Sequence, residues 1–451
     1  MRRSTAYFAF FSLCLPACGD DGGGAAEGDG SGSTSAQTAS TGADTSGSSG
    51  GAETGVMTTG LDPENCIVQQ GEGPCMVEQV VPVPTTDVVF GDFDGDGDVD
   101  ILARGDESGP QEEDELILFP NDNGIFSAGT TLTYTADPVA NGRSVSLASL
   151  RPMSRPEEAQ RVFVQGTYGA LGDVEVDVWL VEDGTLSRFY EPTATPPAGP
   201  WFGDVDGDGE RDLIFAPDGV SLSELETHSC DAGGCDSASA ATATGAPAGP
   251  WTILSTDTTG DALEDLLVVR NGDDGLEVVI LGNDGGSFSN IGSLTLGPDL
   301  APASSRLEDI DGDGRMDLML TSTDGMPAEN SFGATLSAFT QDGNGGLEPG
   351  PVIDAGERIT GYAVADYNGD GTPDVALRRT DRTIINIGEG PEFQSGVSYE
   401  LDAAATGITG QGIPTWSTAV LDLDGNGLLD ILTVTAQSPT TYAVSVLRAV
   451  E

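Results

Sequence analysis

Asp92-Phe93-Asp94-Gly95-Asp96-Gly97-Asp98-Val99-Asp100 carries carboxylates at its first, third, fifth, seventh and ninth positions and glycines at its fourth and sixth. Alternate residues of a tight loop point inward, so these carboxylates can converge on one hard cation, and the glycines let the backbone turn sharply enough to close around it. The coordination is that of Ca²⁺, which takes about six to eight oxygens. A helix-flanked calcium hand would need a glutamate at position twelve. Position twelve here is Ala103, inside the apolar run Val99-Asp100-Ile101-Leu102-Ala103. That run reads as a strand, so the loop joins strands rather than helices.

The same loop recurs at Asp204-Val205-Asp206-Gly207-Asp208-Gly209-Glu210-Arg211-Asp212 and Asp309-Ile310-Asp311-Gly312-Asp313-Gly314-Arg315-Met316-Asp317. It recurs again at Asp366-Tyr367-Asn368-Gly369-Asp370-Gly371-Thr372-Pro373-Asp374 and Asp422-Leu423-Asp424-Gly425-Asn426-Gly427-Leu428-Leu429-Asp430. The odd positions of these five loops, the seventh included whatever its side chain, are the candidate metal positions. A sixth copy, Asp257-Thr258-Thr259-Gly260-Asp261-Ala262-Leu263-Glu264-Asp265, keeps Asp257, Asp261 and Asp265 but has Thr at the third position and Ala for the second glycine. The expectation is five strong calcium sites and one weak one.

Successive first aspartates at 204, 257, 309, 366 and 422 lie 53, 52, 57 and 56 residues apart, whereas 92 and 204 are separated by 112, twice 56. A repeat without ligands is therefore expected between them, centred on 144–164 and containing Ser144-Val145-Ser146-Leu147 and Arg161-Val162-Phe163-Val164. That makes seven units.

These loops, the apolar strand after each, and Gly-rich hairpins ending in an aromatic, such as Asn121-Asp122-Asn123-Gly124-Ile125-Phe126 and Asn283-Asp284-Gly285-Gly286-Ser287-Phe288, resemble the FG-GAP or VCBS repeat family. Its members look like the calcium-bearing propeller of integrin α subunits, and the likeness covers roughly residues 76 to 451. The resemblance implies an all-β fold, a seven-bladed β-propeller of four-stranded blades with calcium loops between strands 1 and 2. About activity it implies only adhesion, ligand binding or occasionally catalysis.

Residues 61–451 supply about 56 residues for each of seven units and leave no room for a second domain. A ring of sheets must close on itself to shield its edges. The last unit ends one strand short, and Val77-Glu78-Gln79-Val80-Val81-Pro82-Val83, ahead of the first loop, is expected to complete it. Upstream, residues 1–17 read as a signal peptide: Arg2 and Arg3 precede a short apolar segment, 6–15, too brief to span a bilayer. Leu15-Pro16-Ala17-Cys18 resembles a bacterial lipobox with Cys18 as the lipid-bearing residue; the alternative is an ordinary signal peptide with an incidental cysteine. Residues 18–60, almost entirely Gly, Ser, Thr, Ala and Asp, read as a flexible tether with a mean reach of about 35 Å. Cys66 with Cys75, and Cys230 with Cys235, are expected as two local disulfides in an oxidising compartment. The protein is thus expected to be exported and lipid-anchored at a bacterial outer membrane or cell surface, or else periplasmic or secreted.

The formal charge of −57 makes nucleic acid and anionic membrane faces poor partners. Contact with membrane is expected through the lipid anchor only, and the domain is read as a monomer. The one histidine, His228, reads as a solvent-exposed residue on the hairpin between the third and fourth strands of its blade, with no base or nucleophile to partner it. No catalytic residue is assigned. Pro197-Ala198-Gly199-Pro200-Trp201 and Pro247-Ala248-Gly249-Pro250-Trp251 echo one another, and Pro414-Thr415-Trp416 occupies a similar place. Trp201, Trp251 and Trp416 either wedge between blades as core or, with Arg143, Arg306 and Tyr362, form a ligand rim at the end of the ring opposite the loops. The function expected is a calcium-stabilised, surface-tethered module binding an extracellular glycan or protein. The alternative is a carbohydrate-active enzyme, such as a calcium-assisted polysaccharide lyase on a similar propeller.

Overall fold

Runs such as Asp265-Leu266-Leu267-Val268-Val269 are apolar on both faces of an extended chain, and such a strand must be covered on both sides. In the computed structural model this strand is buried from Asp265 to Val269, and Asp212–Ala216 and Asp317–Thr321 are buried along their whole length. The structure describes residues 69–450 apart from 71–74, 86–87, 106–113, 135–143, 150–159, 169–172, 183–184, 191–197, 217–221, 232–233, 237–238, 248–250, 273, 301–304, 323–332, 357–358, 360, 380–381, 390–391, 401–417 and 439–440. The described residues are all β, with no helix.

The chain folds into successive antiparallel four-strand meanders. The first holds Val88–Gly91, Asp100–Arg104, Asp114–Phe119 and Thr130–Tyr134. The second, Ser144–Ser149, Gln160–Tyr168, Asp173–Glu182 and Thr185–Tyr190, is the repeat expected without ligands. The third and fourth open on Ala198–Gly203 and Thr252–Thr256, the fifth and sixth on Arg306–Glu308 and Gly361–Ala365. The last contributes Thr418–Leu421, Asp430–Ser438 and Thr441–Val450, and its fourth strand is Cys75–Val83, antiparallel to Thr441–Val450 from Cys75 opposite Val450 to Val83 opposite Tyr442. The beginning of the domain thus fastens its end, as the pattern of Val77–Val83 implied.

Two pairings depart from separate four-stranded units. Thr242–Thr244, on the outer strand of the third meander, pairs in parallel with Ser287–Ser289 on that of the fourth. Their first strands also touch, so these two meanders form one nearly closed eight-strand sheet. In addition, Gln69–Gln70 adds a short fifth strand to the sixth meander by pairing with Ser398 and Tyr399.

Apolar side chains fill the space between neighbouring meanders. Trp201, Ile214, Trp251, Leu266 and Phe288 pack between the third and fourth. Leu254, Leu267, Leu307 and Phe339 do so between the fourth and fifth, and Met319, Tyr362 and Leu377 between the fifth and sixth. Met76, Ile385, Val420 and Leu447 join the sixth to the last. Phe90, Ile101, Phe126, Leu423 and Leu432 join the last back to the first. The fourth, fifth, sixth and last meanders therefore each enter two of these cores.

Candidate metal centres

Every described carboxylate loop follows the first strand of its meander and ends on the aspartate that opens the second. Its first aspartate gathers the turn. Gly95 and Gly97 donate their N–H groups to Oδ1 and Oδ2 of Asp92 at 2.8 and 3.0 Å, and Gly207 and Gly209 do the same to Asp204 at 2.7 and 2.9 Å. Both glycines of each pair have positive φ, 84° and 95° in the first loop, a region closed to most side chains. The third and fifth positions then accept from the residue two further on, as Asp206 does from Asp208 and Asp208 from Glu210.

The ninth aspartate has a different role, the same in all six loops. One carboxylate oxygen accepts an N–H from the second residue of its own loop, and the other accepts an N–H at the end of the third strand or just past it. For Asp100 the donors are Phe93 at 2.9 Å and Asn121 at 2.8 Å, with Asp94 adding a third bond at 3.1 Å. For Asp317 they are Ile310 and Gln341, and for Asp430 Leu423 and Ala449. Asp212, Asp265 and Asp374 repeat the arrangement with Cys230, Asn283 and Gly388. These carboxylates are almost wholly buried. Burial pushes Asp100, Asp212, Asp317 and Asp430 up to about 7, against the backbone bonds that favour their charged form.

Four loops bring three carboxylates together with oxygens within 4.8 Å: Asp92, Asp94 and Asp96; Asp204, Asp206 and Asp212; Asp309, Asp311 and Asp317; and Asp422, Asp424 and Asp430. Burial raises Asp92, Asp204 and Asp309, and like-charged neighbours add to it. Acceptor-only oxygens crowded against one another with partial burial fit a hard cation. The fit is poorest at Asp422–Asp430, because the buried Arg448 guanidinium already bonds Asp424. Asp366–Asp374 has an amide, Asn368, where the others have an acid. In Asp257–Asp265 the third position is Thr259, and Ala262 takes φ +74° where the other loops have glycine. The seventh-position residues Asp98, Glu210, Arg315, Thr372 and Leu428 enter none of these side-chain clusters; the loop uses their backbone N–H.

His228 departs from its expected place. It closes the third strand Glu224–His228 and is buried, with Nδ1 3.1 Å from the carbonyl oxygen of Asp236, Nε2 3.1 Å from Oε1 of Glu226, and its ring edge-on to Phe215. The cause is the hairpin beyond it, folded back by the Cys230–Cys235 disulfide. Cys75 is also disulfide-bonded, and Cys66, the partner expected for it, lies outside the described residues. Trp201 and Trp251 are 5% and 8% exposed, and Trp251 donates Nε1–H to the carbonyl of Pro247 at 2.9 Å. Arg306 and Tyr362 are fully buried together: Nη1 donates to the Tyr362 carbonyl at 2.8 Å and the guanidinium lies 5.1 Å from the ring centre. None of these four side chains presents an open rim. Trp416, Arg143, Cys18 and residues 1–60 lie outside the described residues.

Glu264, at the eighth position of the fourth meander's loop, was not singled out from the sequence. Its Oε2 accepts from Asp204 N–H at 3.1 Å and from the Ser255 hydroxyl at 2.7 Å, and its Oε1 lies 4.0 Å from Arg211, the eighth residue of the neighbouring loop. Aligning the loops would have revealed it, since an acid and an arginine occupy the same repeat position in adjacent units.

The family profile described as FG-GAP-like repeat matches residues 257–320, which span the fourth loop and the fifth. No curated protein matches the chain. Among solved structures, the chain is similar to the Photorhabdus luminescens Tc holotoxin pore, with 14% identity and TM-score 0.40, over 80% of this chain and 19% of that one. It is also similar to the V. cholerae biofilm matrix protein Bap1 (12%, 0.38, 85% and 91%) and to a Lactobacillus plantarum protein (13%, 0.40, 77% and 98%). The chain therefore spans about a fifth of the first of these.

Proposed function

We propose that this chain, which carries an FG-GAP-like repeat at 257–320, is a seven-bladed propeller that binds calcium in its carboxylate loops and serves as an extracellular binding module. The observation that carries the reading is the recurrence of one loop, with its clustered acids and buried ninth aspartate, at the same strand junction of successive meanders. Carboxylates about 4 Å apart repel by about 4 kcal/mol per pair at an effective dielectric near 20, and a divalent cation removes that penalty. With a dissociation constant near 10⁻⁴ M, millimolar calcium would stabilise the fold by about 1.4 kcal/mol per site. The Cys230–Cys235 disulfide fits an oxidising, extracytoplasmic compartment. Lipidation of Cys18 and a tether over 18–60 would hold the domain away from a membrane.

The test is a glycan and protein array probed with the purified protein in calcium and in chelator. Ligands bound only in calcium are expected; an array without any ligand refutes the binding module. Cys18→Ser should move the protein into soluble fractions, and membrane association that survives it refutes the anchor.

A further inference from the structure

The first strands of the third, fourth and fifth meanders end together, and their loops enclose a cavity of about 310 Å³. Its apolar wall includes Phe202, Leu307 and Met316, while Arg211, Glu264 and Arg315 bring charge to it. The cavity lies at the loop end of the strands, and neither Trp201 nor Trp251 lines it. Its size is at the lower limit for small-molecule sites, about 300 Å³, and suits one unit of a longer ligand rather than a large cofactor.

The arginines decide its chemistry. The chain has 17 Lys and Arg against 74 Asp and Glu, so two arginines from different loops lining one cavity are not a general property of its surface. Each has an acidic neighbour. Glu264, fixed by Asp204 N–H and Ser255, stands 4.0 Å from Arg211 Nη2. Arg315 donates Nε–H to the Gln341 carbonyl at 3.3 Å and pairs with Asp313 through Nη2. The two contacts of Arg315 occupy a minority of the five N–H donors that a guanidinium carries, and the Arg211 approach is longer than a hydrogen bond. The forked donor geometry matches a planar oxyanion. Asp204, Asp257 and Glu264 also line the cavity, and their charge penalises a dianion such as phosphate more than a monoanion. Apolar wall, hydroxyls of Ser255 and Thr256, and carboxylate acceptors together suit a sugar ring with its several O–H groups.

We propose that this cavity binds the carboxylate-bearing unit of an acidic saccharide, a uronate, with Arg211 and Arg315 reading the carboxylate. The assignment rests on the binding-module reading and names its site and ligand class. Titration calorimetry of the purified protein, at fixed millimolar calcium, would compare trigalacturonate with trigalactose. Trigalacturonate is expected to bind at least about tenfold more tightly, and Arg211→Gln and Arg315→Gln are each expected to weaken it about five- to tenfold while leaving trigalactose unaffected. Arg315 is the more exposed of the two, so Arg315→Gln carries the test if the other variant fails to fold. Absence of trigalacturonate binding, equal affinity for the two trimers, or indifference to both substitutions would overturn the proposal. If the array yields calcium-dependent ligands while these titrations fail, the cavity assignment falls and the binding module stands; an array without ligands removes both.

Discussion

Asp100 offers the cleanest test of how these loops are held. Its carboxylate lies outside the cluster formed by Asp92, Asp94 and Asp96, yet it accepts three backbone N–H groups, two from its own loop and one from Asn121, 21 residues on. Replacing it with alanine leaves the buried Phe93 and Asn121 donors, and the half-buried Asp94 donor, without a partner. An unsatisfied buried donor costs about 1–3 kcal/mol, so Asp100→Ala should cost at least about 3 kcal/mol. Asp100→Asn keeps the shape but turns an N–H₂ toward one set of donors, and should cost roughly half as much. Asp98→Ala, a control, removes only an exposed acceptor for Asn123 N–H and should cost under about 1 kcal/mol. The assay is denaturant unfolding of the purified protein in excess chelator, where cation binding cannot contribute. If Asp100→Ala matches wild type there, the ninth aspartate is not a structural lock. A loss that appears only in calcium would make it a metal ligand and nothing more.

The pH dependence in chelator follows from the same groups. Asp100, Asp212, Asp317 and Asp430 rise from 3.8 to about 7 on folding, so between pH about 4 and 7 the folded chain binds more protons than the unfolded one. Their contribution to stability is full below about pH 4 and is lost as pH rises through 7. Chelated protein should melt higher at pH 5.5 than at pH 8, and calcium should shrink or reverse the difference; a flat or opposite profile in chelator contradicts the assignment. Ala262→Gly, at φ +74° with Asp257 Oδ2 accepting its N–H at 2.9 Å, should raise stability by about 0.5–1 kcal/mol by relieving left-handed strain, read as a higher melting temperature. Trp201→Ala and Trp251→Ala should each cost about 3–5 kcal/mol as buried aromatics between meanders, whereas near-neutral melting curves would restore them as surface groups.

What the sequence could convey, and what it could not, follows from the range of each interaction. The loops were legible because their ligands, turns and following strands are local: nine residues carry the carboxylates, both glycines and the start of the strand. The fastening of the last meander by Val77–Val83 was legible by counting strands against repeats. The second meander could be located without ligands because its neighbours set the spacing, and strands Ser144–Ser149 and Gln160–Tyr168 lie where that spacing put them. His228 was misread because burial there depends on Phe215 of the neighbouring strand and on Asp236, brought in by a hairpin whose fold-back a one-dimensional pattern does not express. The parallel seam between Thr242–Thr244 and Ser287–Ser289 and the Arg211–Glu264 contact share that cause: each joins neighbouring units, where a repeat-by-repeat reading sees only equivalent positions. Deviations from the repeat are therefore the informative residues. Glu264 and Arg211 differ from the Val99, Met316, Pro373 and Leu429 that fill the same position elsewhere, and they meet at the loop-end cavity. A function confined to part of a repeated fold has to be written in such departures, because whatever all the repeats share can only serve to hold them together.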